Sequence, residues 1–260
     1  MEPPRIKRRP ADQPESKIYG TAACQALFRS RSRDIIKVYV NKKRVEMFAP
    51  LLKSCAIAKK AYHIVDDVDL ERLTESTHHG GICIVAREPD EKSFHALLGE
   101  LKRTKNPQCL LFLDGVQNPH NVGNILRMCA HFGLPYLLTC DPNFRRVPPA
   151  TRRVSEGGAE LVRIVRTDNT LQALRQLKSA GFKIVATSSH YSKNLFLTAL
   201  PQKTIFVIGS EEHGISRTFA ELADDEIAIA GSGMIESLNV ASACAILVSE
   251  FVRQYPVRPL

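Results

Sequence analysis

Three polar loops, each directly after a short apolar run, carry the residue types that could do chemistry. The first loop spans residues 113–127 and contains Asn121, with Arg127 six residues later. An asparagine at a helix start and an arginine within the helix can grip a phosphate or orient a hydroxyl group. The spacing predicts a helix that begins near Asn121, which we expect to be its N-cap. A capped helix with one surface arginine would account for this loop equally well.

The other two loops combine glycines with polar side chains. In residues 206–215, Gly209 and Gly214 lie on either side of four polar residues that include Glu211. Glycine permits positive φ and close approach of the backbone to a ligand. In residues 229–243, Ser237 and Asn239 lie at the start of an alanine-rich apolar stretch that is predicted to be a helix. A tight turn and a simple helix cap are the ordinary alternatives for these loops.

The apolar runs around these loops predict an α/β fold. Beyond residue 107, short apolar strands alternate with helical stretches, which is typical of a parallel sheet covered on both faces. Ligands bind beyond the carboxyl ends of such strands, so a functional site is expected at that edge. Strands are predicted at residues 110–113, 136–138, 161–165, 183–187, 204–208 and 226–229, and helices at residues 121–132, 171–180 and 238–252.

Composition and pattern divide the chain into four regions. Residues 1–16 are rich in proline and charge and are expected to be a disordered basic tail. Residues 17–88 indicate a small α/β domain, in which Phe28, Tyr39 and Phe48 are expected to be core residues rather than base-stacking platforms. Residues 89–106 are expected to form a linker with a short helix, and residues 107–260 the parallel-sheet domain.

Positive charge is concentrated at the front of the chain. The first 60 residues carry 15 basic and 5 acidic side chains, whereas the remaining 200 carry 21 and 22. An excess of this kind favours a polyanionic partner, of which nucleic acid is the usual example. A solvated tail and a charged helix face are the alternative.

Composition also excludes several classes of protein. No apolar run approaches the roughly 20 residues of a membrane span, and the first ten residues lack the apolar region of a secretory signal, so a soluble cytoplasmic protein is expected. The seven cysteines are scattered without a CxxC pair. Neither a disulfide framework nor a metal site is therefore expected.

Taken together, the three loops resemble the signature motifs of the SpoU (TrmH-like) branch of the SPOUT RNA methyltransferases. The chain carries LDGVQNPHNVGNILR at 113–127, GSEEHG at 209–214 and ESLNVA at 236–241. The resemblance covers residues 107–252, and within the family the sequence is most similar to the YfiF-type group. Residues 19–85 are similar to the L30e-like RNA-binding domain that precedes the catalytic domain in many members.

The resemblance implies a fold and an activity. The fold would be a C-terminal SPOUT domain with a deep trefoil knot, behind a small L30e-like α/β domain. The cofactor would be S-adenosylmethionine, and the enzyme a homodimer with its active site at the subunit interface. The reaction would be methylation of a ribose 2′-hydroxyl in structured RNA. The L30e-like domain favours ribosomal RNA over transfer RNA as the substrate.

The resemblance also implies residue roles. Five residues match catalytic positions of the motifs: Asn121, Arg127, Glu211, Ser237 and Asn239. The pKa of arginine exceeds about 12, so whether the motif arginine accepts a proton or only orients the hydroxyl stays open. The cofactor pocket of the family falls on Thr187, Ile208, Gly209, Gly214, Ile229 and Leu238.

Further arginines predict contacts with RNA. Arg145, Arg146, Arg152 and Arg153 flank a proline-rich loop beside the expected site, where phosphate contacts would steepen the salt dependence of binding. A catalytically silent RNA-binding protein that retains the SPOUT fold is the alternative function. It stays open because Ala230-Gly231 replaces the Pro-Met of many members. The intact motif residues favour an enzyme, and their Asn/Arg and Ser-Leu-Asn pattern favours ribose over a base as the acceptor.

Overall fold

The computed structural model describes residues 13–188 and 193–256, apart from the side chain of Arg145. Residues 1–12 of the predicted basic tail lie outside the described part, and residues 15–16 belong to the first strand. The chain divides into two compact units, Met1–Asp90 and Glu91–Leu260. Each unit has its own sheet.

The first unit is a four-stranded sheet with helices. Its strands are β1 (Glu15–Tyr19), β2 (Ile35–Asn41), β3 (Ala61–Val65) and β4 (Ile82–Arg87), and its helices are α1 (Thr21–Arg31), α2 (Ala49–Ile57) and α3 (Asp67–Thr74). The strand order is β1-β4-β2-β3, in which only the β2–β3 pair is parallel. Strand β3 was not predicted and forms one edge of the sheet.

Helical spacing of apolar residues explains how α1 packs against the sheet of the first unit. Ala23 and Leu27 lie on one face of α1, and both pack with Val38 and Val40 of β2 in a single buried cluster. Phe48 is buried and Phe28 packs against the same cluster, as predicted. Tyr39 is different. It is only partly buried and points to the opposite face of β2, because side chains alternate along a strand.

The second unit is a seven-stranded parallel sheet with helices on both faces, which confirms the predicted fold class. Its strands are β5 (Gln108–Asp114), β6 (Tyr136–Thr139), β7 (Arg163–Arg166), β8 (Lys183–Ser188), β9 (Lys193–Asn194), β10 (Lys203–Gly209) and β11 (Asp225–Ala228). Their order is β7-β6-β5-β10-β8-β11-β9, and every pairing is parallel. The helices are α4 (Phe94–Arg103), α5 (Pro119–His131), α6 (Pro149–Val154), α7 (Gly158–Leu161), α8 (Thr170–Ser179), α9 (Arg217–Leu222) and α10 (Val240–Gln254).

Alternation along β5 shows how both faces of the sheet are covered. Leu111 and Leu113 belong to a buried cluster with α5 and α10, whereas Leu110 and Phe112 belong to a second cluster with α4, α8 and α9. A strand that is apolar on both faces is what the continuous run of residues 110–113 predicted. The three motif loops follow strands of this sheet.

Helix α4 lies within the stretch that was expected to be a linker. Its Leu97, Leu98 and Leu101 are buried in the second unit. The carboxylate of Glu100 accepts hydrogen bonds from Lys92 and from the Tyr136 hydroxyl on β6. Residues 94–103 are therefore a structural helix of the second unit.

Two general findings concern the described residues alone. None of their helices is both long and apolar enough to cross a bilayer. Within residues 13–188 and 193–256, no group of three or more His, Cys, Asp or Glu side chains is arranged to hold a metal ion.

Candidate active site

The parallel sheet brings the three motif loops to one edge. Because all strands run in the same direction, the loops after β5, β10 and β11 leave from the same side of the sheet. In register, Gly209 at the end of β10 lies beside Asp114 at the end of β5. Ile227 near the end of β11 lies beside Thr187 on β8. The predicted site therefore lies along four neighbouring strand ends.

Three predicted catalytic residues form one hydrogen-bond network. The Asn121 amide nitrogen donates to Glu211 Oε1 over 3.0 Å. The Asn239 amide nitrogen donates to Asn121 Oδ1 over 3.0 Å and to the same Glu211 oxygen over 3.4 Å. These residues are up to 118 positions apart in sequence, so folding alone brings them together. The network fixes one carboxylate between two amides.

The prediction that Asn121 is the N-cap of α5 is wrong. The cap is Asn118, whose side chain accepts from the backbone N–H of His120 over 2.9 Å, and Pro119 fills the first helical position. Asn121 lies inside the first turn and is 6% exposed. Since Asn118 takes the capping role, the Asn121 amide is free to reach across to Glu211.

Asn239, unlike Asn121, both caps a helix and takes part in the hydrogen-bond network. Its Oδ1 accepts from the backbone N–H groups of Ala241 and Ser242 at the start of α10. Its amide nitrogen points the other way, toward Asn121 and Glu211. An asparagine side chain has one accepting and one donating end, and this position uses both.

The loop after β10 is a closed turn. Ser210 and Gly214 exchange backbone hydrogen bonds of 3.1 and 3.0 Å. A Cβ on Gly209 would come within 2.1 Å of the backbone carbon of Gly214, so only glycine fits there. The Asp114 carboxylate accepts from the Ser216 N–H over 2.6 Å and ties the far side of the turn to β5. This turn holds Glu211 in front of Asn121.

Asp114 and Asn118 are the structural residues that sequence reasoning missed. Asp114 ends a strand, and Asn118 precedes a proline at a helix start. An asparagine before a proline at a helix start is a standard N-cap signal, whereas Asp114 has no comparable local signal because its partner, the Ser216 N–H, lies 102 residues away. The N-cap signal was present in the first motif but was assigned to Asn121.

The structure brings the predicted cofactor residues to the same edge. Thr187 is partly buried and its hydroxyl donates to the Val207 carbonyl over 2.9 Å. Ile208 is buried, whereas Ile229 is only partly buried, beyond the end of β11. Leu238 is 50% exposed. Strands β10, β8 and β11 are neighbours, so these positions line adjacent strand ends together with Gly209 and Gly214.

Two predicted catalytic residues lie outside the network. Arg127 is exposed on α5 and makes no polar contact with a described residue. Its position six residues after Asn121 turns it about 120° away around a helix of 3.6 residues per turn. Ser237 is exposed in the loop before α10. Within one copy of the chain, hydrogen bonds therefore connect three of the five predicted catalytic residues.

The predicted RNA-binding arginines have different surroundings. Arg146 and Arg153 are exposed. Arg152 is 6% exposed, and its guanidinium pairs with the Glu160 carboxylate, whose side chain is fully buried. A guanidinium committed to a buried ion pair does not reach RNA phosphates, so the prediction for Arg152 is corrected. The side chain of Arg145 lies outside the described part of the structure.

Comparison with known proteins agrees with the motifs. Residues 108–249 match the SpoU rRNA Methylase family, and residues 17–92 match the family described as RNA 2′-O ribose methyltransferase substrate binding. An uncharacterized tRNA/rRNA methyltransferase, YfiF of Escherichia coli O157:H7, is 33% identical over 98% of this chain and 72% of the relative. The 23S rRNA (guanosine-2′-O-)-methyltransferase RlmB of Coxiella burnetii is 31% identical over 91% of this chain and 95% of the relative.

A solved structure shares the fold. The SpoU methyltransferase AviRb from Streptomyces viridochromogenes, in complex with AdoMet, superposes with a TM-score of 0.72 over 92% of this chain and 90% of that chain, at 19% identity. The family match covers more than half of the chain and contains all three motif loops. This chain belongs to the SpoU rRNA methylase family of RNA 2′-O-ribose methyltransferases.

Proposed function

We propose that this chain transfers a methyl group from S-adenosylmethionine to a ribose 2′-hydroxyl of ribosomal RNA. The observation that carries the proposal is the network of Asn121, Glu211 and Asn239 at the carboxyl edge of the parallel sheet. The RlmB relatives are named for the same chemistry on 23S rRNA, which supports ribosomal over transfer RNA. Ribosomal RNA would be met in the cytoplasm, the predicted location.

The residues at this edge fit the proposed cofactor. S-adenosylmethionine has a flat adenine ring and a positive sulfonium. Its site therefore needs apolar side chains against the ring, backbone that can approach the ligand closely, and a negative charge nearby. Met234, Ile235 and Leu238 leave 89%, 82% and 50% of their surface uncovered in the loop beyond β11. Gly209 provides close backbone, and the exposed Glu211 provides negative charge. Thr187, Ile208, Gly214 and Ile229 complete the proposed pocket.

The chain must then orient the acceptor, because the bound cofactor supplies an already activated methyl group. A ribose hydroxyl is a weak nucleophile, and alignment of its oxygen is the main contribution that a protein can make. Glu211 Oε1 is held by two amides, whereas no described residue donates to its Oε2. In our proposal Oε2 accepts the hydroxyl hydrogen bond. The proton would leave to water, and the cofactor's neutral thioether would be the leaving group as its bond to the methyl carbon breaks.

Arg127 and Ser237 complete the site in a homodimer. In one copy Arg127 is exposed and separated from the network, and Ser237 is also exposed. A site assembled between two copies would bring the arginine of one subunit to the network of the other. A guanidinium stays protonated at neutral pH, so Arg127 would hold the RNA phosphate and orient the hydroxyl. The trefoil knot remains a prediction of the family resemblance.

Two surfaces are proposed to bind RNA. The exposed Arg146 and Arg153 lie within residues 145–153, and Arg145 stays a prediction. The first unit, which matches the substrate-binding family, would select the RNA. We propose that this unit, predicted as residues 17–88, is the substrate-binding domain, and that the catalytic domain, predicted as residues 107–260, also includes α4.

Transfer of label from methyl-tritiated S-adenosylmethionine to unmodified bulk RNA tests the proposal. Digestion to nucleosides shows whether the label lies on ribose or base. Arg127→Ala is expected to abolish the label, whereas Arg217→Ala, an exposed arginine on α9 whose partner is Glu221, should leave it unchanged. Label on 2′-O-methyl nucleosides would establish the enzyme. A folded chain that binds RNA but neither labels it nor binds the cofactor by calorimetry would be the silent RNA-binding protein.

A further inference from the structure

Strand β3 is an uncovered edge of the first unit. Residues 61–64 are all exposed, including 43% of Tyr62 and 58% of Ile64. The strand contains no charged residue and no proline. Native proteins normally protect an edge strand with charged residues or proline, or cover it with another element, so an edge strand without this protection is open to a binding partner.

A ladder of side chains leads across the sheet to this edge. The ammonium of Lys37 lies 5.8 Å from the ring centre of Tyr39. The rings of Tyr39 and His63, which are register partners on β2 and β3, stack at 5.2 Å with an angle of 22° between their planes. No strand of the described chain lies beyond β3, so the ladder ends in an exposed ring at His63. Every nucleic-acid base has a flat π face that could continue such a stack.

Charge around β3 is polarised along the strand. Lys59 and Lys60 precede it, and Lys60 donates to the neutral carbonyls of Ser32 and Arg33 rather than to a described carboxylate. A concavity of about 480 Å³ next to Lys37 also includes Lys17, Val85 and one acidic residue, Glu15. At the other end, Asp66 and Asp67 begin α3. Phosphates would therefore lie toward the amino end of the strand, and acidic repulsion would keep them from the carboxyl end.

We propose that the β3 edge binds a single-stranded segment of RNA, with one base stacked on His63 and neighbouring phosphates near Lys37 and Lys59. The identity of this RNA as the methylation substrate rests on the proposed function, whereas the binding surface does not. Positive charge favours RNA over the pairing of a protein strand with the edge.

Fluorescence anisotropy with a fluorescein-labelled 12-nucleotide oligouridylate tests the surface on the full chain, without cofactor. His63→Ala is expected to weaken binding at least fivefold, which corresponds to about 1 kcal/mol for one lost base stack. His63→Phe should restore it. The matched control is Tyr62→Ala, on the opposite face of the same strand, which should stay within twofold of the wild type. Lys59→Ala should flatten the dependence of log affinity on log salt by roughly 0.7, and Lys53→Ala on α2 should not.

Three results would overturn the proposal. The wild-type chain does not bind the oligonucleotide, His63→Ala binds as tightly as wild type, or Tyr62→Ala and His63→Ala weaken binding equally with unchanged circular dichroism. Self-association that is lost on Ile64→Lys would show that the edge pairs with a protein strand instead. Methyl transfer to bulk RNA is measured separately. A labelled product with unchanged His63→Ala binding refutes the edge proposal alone. Absence of both label and cofactor binding, together with the predicted oligonucleotide binding, refutes the catalytic proposal alone.

Discussion

Replacing Arg152 with alanine is expected to destabilise the second unit rather than simply to weaken RNA binding. The side chains of Arg152 and Glu160 are 7% and 0% exposed, and their ion pair joins α6 to α7. Removing the arginine leaves a buried carboxylate without this counter-ion, and such changes cost about 3–5 kcal/mol. Ordinary domains have only about 5–15 kcal/mol of stability, so the loss would be a large share of the total.

Urea denaturation followed by circular dichroism measures this effect. Arg153→Ala, on the exposed neighbour, is the matched control and should leave the unfolding midpoint unchanged while it flattens the salt dependence of RNA binding. Arg152→Met combined with Glu160→Leu removes both buried charges and should recover most of the lost stability. An unchanged midpoint in Arg152→Ala would refute the reasoning. If that variant also bound RNA less tightly, Arg152 would be a phosphate-binding residue after all.

Three further predictions concern the site and the helix α4. Gly209→Ala should abolish cofactor binding in calorimetry, because its Cβ would lie 2.1 Å from the backbone of Gly214. Gly231→Ala, whose Cβ would have no atom within 4 Å, should bind the cofactor normally. Equal binding by both variants would contradict the closed turn. Asn239→Asp keeps the helix cap but replaces the donor to Glu211 with a second carboxylate, so methyl transfer should fall at least tenfold, a change of about 1.4 kcal/mol, while circular dichroism still shows a folded chain. Hydrogen bonds from Lys92 and Tyr136 lower the pKa of Glu100 below 4.5, so its contribution to stability is present above that pH and is lost as pH falls through the folded value. The stability difference between wild type and Glu100→Gln should therefore shrink between neutral and acidic pH, and a difference that stayed constant would contradict this linkage.

The strands and motif loops could be predicted because their signals are local. A continuous apolar run such as residues 110–113 specifies a strand buried on both faces, and the parallel arrangement then places every following loop at one edge. The capping role assigned to Asn121 was wrong for a physical reason. Asparagine caps helices and also donates from its amide, and only the contact with Glu211, 90 residues away, shows which property is used.

Two other predictions, for Tyr39 and Arg152, differed from the structure because the surroundings of a residue, not its type, determine its burial. Tyr39 was expected in the core rather than on a stacking surface, but it stacks on His63 of β3, a short strand that the sequence analysis did not predict. Arg152 was grouped with three nearby arginines by its charge. Its burial depends on a glutamate in the next helix, which no local pattern of positive charge can indicate.

Asn239 couples the stability of α10 to the geometry of the site. Its oxygen holds the first backbone N–H groups of the helix, and this fixes the direction of its nitrogen toward Asn121 and Glu211. Helix α10 supplies Val240, Cys244 and Leu247 to the core that also contains α5. The two helices that carry the amides are therefore held together by that core, and the amide–carboxylate distances follow from its packing. A cavity in this core, for example from Leu247→Ala, would change the amide–carboxylate distances although Leu247 does not contact the network. Activity and unfolding must therefore be measured on the same variants.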